Sequence, residues 1–440
     1  MKVALLGLLG WCGSALAADF YVAPNGSDAA PGTLAAPFAT VMRGQEAARA
    51  GDTVHLRGGT YRMQEGQIAR REEIFAYVIA LSKSGEPERP ITYRAYQGER
   101  PVFDFSQVKP AGLRVHAFSV SGSWLHLQGI EVMGVQVTGS DETQSICFES
   151  NGSHNVFEHL AMHDGQAIGL YHVRGSDNLF LNCDAWSNWD FTSGDKKGGN
   201  VDGFGAHPSR GSTGNVFQGC RAWNNSDDGF DCINAWEAVV FDHCWAFQNG
   251  LAADGRRLAD GNGFKAGGYG VNPQPGKVPT VVPRHVIRFC MAVSNAANGF
   301  YANHHPGGSD WLQNTAWHNS RNFNLLGRLM ETHTDVDGYG HKLRNNLAFQ
   351  ARNREEVAQL DRGKSDSANN SFEMNLRLSS RDFASLDERE LVRPRQANGN
   401  LPEVRLLRPV RSSAFLNKGV DLGFPFQGKA PDLGAWELAP

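Results

Sequence analysis

Lys265 stands in a Gly-Phe-Lys segment, and the corresponding place one repeat earlier is Asp231, the last residue of Ser226-Asp-Asp-Gly-Phe-Asp231. Asp202 opens a third copy, Asp202-Gly-Phe, so Asp202, Asp227, Asp228 and Asp231 precede the lysine at matching places. Carboxylates at this density repel one another unless something positive sits among them. Calcium suits such a set, because it takes six to eight oxygen ligands in flexible geometry; the motif brings no histidine or thiolate cluster, which speaks against zinc. A lysine beside the cation acts as a base only when neutral: carboxylates favour its charged form, while a bound divalent cation and partial burial favour the amine. A cation that also holds a substrate carboxylate acidifies the adjacent C–H. The chemistry these residues offer is proton abstraction next to a carboxylate, followed by β-elimination, as from a uronic acid polymer. Taken alone, the acidic motif also fits a calcium-bound or hydrogen-bonded turn that only stabilises the fold.

Those side chains converge only if the repeats stack. The copies Asn178-Leu-Phe-Leu-Asn-Cys183-Asp-Ala-Trp-Ser-Asn188, Asn215-Val-Phe-Gln-Gly-Cys220-Arg-Ala-Trp-Asn-Asn225 and Val240-Phe-Asp-His-Cys244-Trp-Ala-Phe-Gln-Asn249 are followed by ones ending at Asn295 and Asn319, with weaker copies at 155–160 and 343–349. The column through positions 160, 183, 220, 244, 290, 314 and 346 advances by 23, 37, 24, 46, 24 and 32 residues, a period of 23 to 24 with insertions. Apolar residues alternate over short β-rich runs with no helix-length segment, and a single coil of this kind cannot bury its apolar side. Stacked coils can, each strand pairing with its equivalent about 4.8 Å away. The reading is an all-β fold, a parallel β-helix with its repeat core over about 120–350. Asn188, Asn225, Asn249, Asn295 and Asn319 then share one turn position, where asparagine tolerates left-handed backbone and its amide can bond the next copy. The cysteine column reads as packed thiols or a disulfide ladder, its oxidation state open.

If Phe230 and Phe264 point inward, Asp231 and Lys265 are adjacent, exposed neighbours on the outer face. Two long turns, 189–202 and 250–262, bracket the acidic coil, and another insertion, 269–283, follows the lysine coil; solenoids carry insertions on their binding face, so these turns are expected to wall a cleft. At the N-terminal end, 40–50 reads as an amphipathic helix stopped by Gly51 that caps the first coil. Beyond about residue 350 the repeat decays into polar sequence, a C-terminal cap over 351–440 with a short helix expected near Asp382–Leu391.

Forty-two basic and 46 acidic side chains leave a net charge of −4, which implies neither nucleic acid nor an anionic membrane surface as partner. Residues 1–17 read as a secretory signal peptide cleaved after Ala17, giving a mature chain of 18–440 in one domain, secreted, with no later run long enough to span a bilayer. Trp11 argues against lipid attachment at Cys12.

Asn200-Val-Asp-Gly-Phe-Gly205, Cys220-Arg-Ala-Trp-Asn-Asn-Ser-Asp-Asp-Gly-Phe-Asp231 and Asp260-Gly-Asn-Gly-Phe-Lys-Ala-Gly-Gly268 together resemble polysaccharide lyase family 9, the calcium-dependent pectate lyases of right-handed parallel β-helix fold. The resemblance implies that Asp202, Asp227, Asp228 and Asp231 ligate an essential Ca2+, that Lys265 is the Brønsted base, and that the partner is an acidic polysaccharide, pectate first and rhamnogalacturonan or another acidic glycan as the alternative. The enzyme is expected to act as a monomer. Arg321, His304, His305, Lys196 and Lys197 are candidate contacts for substrate carboxylates by position alone, the alternative being ordinary solvated side chains. Two further readings share the fold: a glycoside hydrolase using paired aspartates as acid and base, whose polygalacturonase relatives carry a Gly-His-Gly segment absent here, and a non-catalytic carbohydrate-binding solenoid.

Overall fold

A computed structural model describes residues 17–141, 143–273 and 276–438; apart from Ala17, the signal-peptide reading therefore lies outside the described residues. The coils contribute in turn to three sheets of 12, 10 and 11 strands among those residues, parallel throughout except for the edge strand Arg70–Glu72, which runs antiparallel to Phe75–Leu81. One coil runs Asn215–Gln218, Arg221–Trp223, Phe230–Asp231, and the next Val239–Asp242, Trp245–Phe247, Phe264–Lys265. Each pairs in register with its equivalent, so Phe217 meets Phe241, Ala222 meets Ala246 and Phe230 meets Phe264.

Register makes every inward position stack on copies of itself, and the core follows from that. The first sheet supplies Phe157, Phe180, Phe217 and Phe241, and the third supplies Phe204, Phe230, Phe264 and Phe300, all at most 1% exposed. The second sheet supplies Ala185, Ala222, Ala246, Ala292 and Ala316, because the rings arriving from the other two sheets already fill the narrow interior. Phe230 and Phe264 stack 4.7 Å apart at 2°.

Buried amides run up the corners. Asn188 Nδ2 donates to Asn225 Oδ1, Asn225 Nδ2 to Asn249 Oδ1, Asn249 Nδ2 to Asn295 Oδ1 and Asn295 Nδ2 to Asn319 Oδ1, over 2.9–3.1 Å. The left-handed backbone belongs instead to the residue just before each rung: Ser187, Asn224, Gln248, Ser294 and His318, with φ of 50–58°. This differs from the sequence reading, since a rung whose side chain is committed to its neighbours leaves the turn to the preceding residue. The column of buried thiols Cys183, Cys220, Cys244 and Cys290 continues as an asparagine ladder through Asn314, Asn346 and Asn370. Those four cysteines, with Cys147 and Cys232, are free. The column settles as thiols.

Parallel strands extend beyond 120–350, from Asp19–Val22 to Asp366–Ala368. The early coils escape the repeat pattern because Val54, Tyr93 and Leu127 hold the inward column without the cysteine and asparagine corners. The capping helix is Val41–Ala47, and Thr40 accepts from the Arg43 N–H as its N-cap. Gly44 lets it sit tightly, since a Cβ there would lie 2.8 Å from Val54 Cγ1. The expected C-terminal helix is instead two 3-10 turns, Ser380–Asp382 and Glu388–Val392, and Pro394 follows the second. Leu391, Leu406, Phe415 and Leu433 pack this segment against Trp245, Met291, Trp317 and Phe349 of the second sheet. A half-buried Asp184 accepts from Arg221 and Arg395 at 2.6–3.0 Å and ties the segment to the coils.

Candidate active site

A further ladder opens the third sheet, and it is where the carboxylates sit. Asp202 Oδ1 accepts from the Asp228 N–H at 3.1 Å, Asp228 Oδ1 from the Asn262 N–H at 2.7 Å, and Asn262 Oδ1 from the Asn298 N–H at 3.2 Å. Aspartates therefore occupy two rungs of a ladder whose later rungs are asparagines. Three residues on, the outward column runs Tyr171, Gly205, Asp231, Lys265, Tyr301, Asn324. Lys265 Nζ lies 3.0 Å from Asp228 Oδ2 and 3.2 Å from Asp231 Oδ2.

The outer face is not open here, contrary to the sequence reading: Asp231 is 4% exposed and Lys265 9%. The long turns are tied to the acidic coil beside them. Asp227 holds both, accepting the Asn200 N–H at 2.7 Å on one oxygen and the Asp260 N–H at 3.0 Å on the other. The Ser226 hydroxyl donates to Gly198 O and the Ala259 N–H donates to Ser226 O, so the acidic coil is stitched to each turn twice. Between the turns lies a cleft of about 580 Å³, lined by Asp195, Lys197 and Gly199 on one side and Arg257 to Asp260 on the other.

Four carboxylates face one ammonium in this enclosure. Burial, reinforced by the neighbouring carboxylates, pushes Asp202 and Asp227 well above the usual carboxylate range, and it pushes Asp228 up to about 6 against the pull of Lys265. Burial also presses Lys265 toward the neutral amine, but Asp228, Asp231, Asp227 and Asp202 outweigh it and hold the ammonium well above the ordinary lysine value. Asp228 Oδ2 is sealed from solvent and receives no well-directed hydrogen bond, although Lys265 Nζ is close. Carboxylate oxygens of Asp202, Asp227 and Asp228 lie within 4.8 Å of one another. An oxygen-rich, buried, underneutralised set of this kind fits a hard divalent cation.

The sequence offered no histidine cluster beside these aspartates, and the structure adds a single histidine there. His207, just past the strand Phe204–Ala206, places a ring nitrogen within 4.8 Å of carboxylate oxygens of Asp202 and Asp231. A residue beyond a strand end has no parity to read, so the sequence held no signal for it. Tyr171 and Tyr301 flank the site in the outward column, burial pushing both phenols up to about 12. Of the residues singled out by position, Lys197 lines the cleft and Lys196 is exposed beside it. His304 is held by Asp335 at 2.7 Å, and its ring lies 6.2 Å from that of Tyr301. Arg321 pairs with Glu355 one coil further on. His305 is not in the site: it is fully buried, Nδ1 accepting from the Gly268 N–H and Nε2 donating to Pro283 O. A separate cavity of about 550 Å³ under the capping helix, lined by Met42, Tyr61, Met63 and Val78 among others, holds no carboxylate, histidine or cysteine.

A family model described as Pel9A-like, right handed beta helix region, matches residues 20–353. Pectate lyase L of Dickeya chrysanthemi is 33% identical over 423 residues, 95% of this chain and 90% of that protein. Among solved structures, a rhamnogalacturonan lyase superposes with a TM-score of 0.85 at 43% identity, covering 89% of this chain and 96% of that one. The pectate lyase Pel9A superposes with a TM-score of 0.77 at 31% identity, covering 97% of this chain and 98% of that one. The chain belongs to the Pel9A-like right-handed β-helix family, polysaccharide lyase family 9, and is a polysaccharide lyase.

Proposed function

We propose that the chain is an exported, monomeric lyase that cleaves galacturonate-containing polysaccharide by calcium-assisted β-elimination, with Asp202, Asp227, Asp228 and Asp231 holding the calcium and Lys265 as base. The observation that carries this reading is the in-register pair Asp231 and Lys265, enclosed with three further carboxylates that one ammonium cannot neutralise. A bound calcium supplies positive charge to the cluster and draws electron density from a coordinated uronate carboxylate. Lys265, relieved of its anionic surroundings and still buried, is then pressed toward the neutral amine. Its Nζ takes the C5 proton, the C–H pair forms the C4–C5 double bond, and the C4–O bond breaks with its electrons leaving on the glycosidic oxygen, which takes a proton from solvent. Lys197 and Arg257, which line the cleft between the turns, offer cations to the carboxylates of flanking sugars.

Pectate is the first substrate reading, supported by relatives that are pectate lyases. Rhamnogalacturonan is the second, favoured by a rhamnogalacturonan lyase at 43% identity. Both offer a galacturonate to the same carboxylate cluster and base. The test is a screen of polygalacturonate and rhamnogalacturonan for ultraviolet absorbance of the unsaturated uronate product, with calcium and with excess chelator. Calcium-dependent absorbance on one polymer assigns the substrate; activity that persists in chelator refutes the cation role, and cleavage without absorbance refutes elimination.

A further inference from the structure

His207 is left unused by the elimination just described, yet its ring is aimed into the cluster. Nε2 is sealed from solvent and has no hydrogen-bond partner, while Nδ1 is not sealed. The residue is held from two sides: its backbone N–H donates to His172 O at 2.9 Å, and the Tyr171 ring packs 4.9 Å from the imidazole. Gly205 opens the path. It occupies the outward column between Tyr171 and Asp231, and a Cβ there would lie 3.4 Å from His207 Nε2 and 2.5 Å from Tyr171 Cδ2. Without that atom the imidazole reaches across the strand with Nε2 toward Gly205, and a ring nitrogen of His207 and carboxylate oxygens of Asp202 and Asp231 all lie within 4.8 Å of one another. A second trio, Asp202, Asp227 and Asp228, has the same closeness using oxygens alone, so Asp202 is shared between an all-oxygen face and a mixed one.

A neutral imidazole can carry its proton on Nδ1, toward solvent, and turn the Nε2 lone pair inward. Nitrogen donors add little for calcium but raise affinity for borderline divalent ions, in the order manganese, cobalt, nickel. We infer that His207 Nε2 is a metal ligand, and that Asp202, His207 and Asp231 form a mixed nitrogen–oxygen face by which this site binds borderline divalent cations. The inference rests on the cation-site reading above and adds a ligand to it. The rival role is a hydrogen bond from Nε2–H to Asp231, which would stiffen the site without touching an ion.

Pulsed electron paramagnetic resonance on the whole, substrate-free protein loaded with one equivalent of Mn2+ separates the two roles. The expected result is nitrogen hyperfine coupling in the wild type, altered by heavy-nitrogen histidine labelling and lost in His207→Gln. Calorimetric titration with Ni2+ should show affinity falling by at least about 10-fold in His207→Gln, with Ca2+ affinity changed by less than about 3-fold. The labelling arm uses wild-type protein and is independent of how the variant folds. Mn2+ bound without nitrogen coupling, or equal Ni2+ affinity in the folded variant, overturns the inference and leaves the cation site standing. Failure of Mn2+, Ni2+ and Ca2+ alike to bind the wild type overturns both.

Discussion

Asp202→Asn separates the structural from the electrostatic role of the acidic rung. The ladder bond survives the change, because an amide Oδ1 accepts the Asp228 N–H as the carboxylate does, and Asn262 already does the same for the Asn298 N–H at a later rung. What is lost is one negative charge whose carboxylate neighbours have oxygens within 4.8 Å. At that separation and an effective dielectric near 20, two full charges repel by about 3.5 kcal/mol. Part of this is already relieved in the metal-free protein, where burial and the neighbouring carboxylates raise the Asp202 carboxyl well above its usual range. The net gain on neutralisation is therefore smaller, about 1–2 kcal/mol. Cation binding pulls the other way. At a concentration 100 times its dissociation constant, calcium stabilises the folded wild type by about 2.7 kcal/mol, which for a chain of this size is a rise of about 3–5 °C in melting temperature. Scanning calorimetry in chelator and then in calcium reads both effects. The variant should melt at or slightly above the wild type in chelator and respond to calcium by less than about 1 °C. A variant less stable than wild type in chelator, or a wild type indifferent to calcium, would refute the argument that this rung was made acidic to hold a cation.

Lys265→Ala should lower kcat by a factor of about 10² to 10⁴ while calcium still binds, since the loss is of a proton acceptor and not of a ligand; turnover near wild type removes the base. Asp227→Ala leaves the Asn200 and Asp260 N–H groups without their acceptor, so limited proteolysis should cut first within 189–202 and 250–262, and an unchanged digestion pattern would deny Asp227 its hold on the turns. Asp184→Ala strands two arginines and should cost about 3–5 kcal/mol, with early hydrogen exchange over 380–436. Burial pushes His172, His285 and His341 down to about 3. Their folded pKa lies below the unfolded value near 6.5, so the unfolded chain binds more protons below that pH, and they withdraw stability as pH falls from about 6.5 toward 3, by up to about 1.4 kcal/mol per pH unit each. His285 Nδ1 accepts the Val239 N–H where Asn215 Oδ1 accepts the Asn178 N–H two coils earlier. His285→Asn keeps an acceptor, and urea midpoints between pH 8 and 5 should fall less steeply than in wild type; an unchanged slope would mean that His285 is not held neutral.

Parallel, in-register stacking is the reason so much of this molecule can be read from its residues. Each position sees a copy of itself above and below, so Phe217 over Phe241 and Asn225 over Asn249 appear as columns in the chain before any coordinates exist. The Asp231 and Lys265 pairing was legible on the same ground, because one strand step fixes it. Burial of the pair was not legible, nor was the seating of the turns 189–202 and 250–262, which obey no register and are held where Asp227 gathers their N–H groups. His207 and the early coils lay beyond reading for a related reason, one past a strand end and the others without corner residues to mark their period. The ladder geometry also explains why the acidic motif admitted a purely structural reading. Asp228 Oδ1 accepts the Asn262 N–H just as an asparagine would, so half of each carboxylate does the work of the ladder. The other half distinguishes it: Asp228 Oδ2, sealed and without a directed hydrogen bond, stands where an amide would carry NH2 and would face Lys265 donor to donor. One atom per rung thus divides a stabilising stack from a site that calls for a cation, and the asparagine substitutions that keep the first while removing the second are the changes that test it.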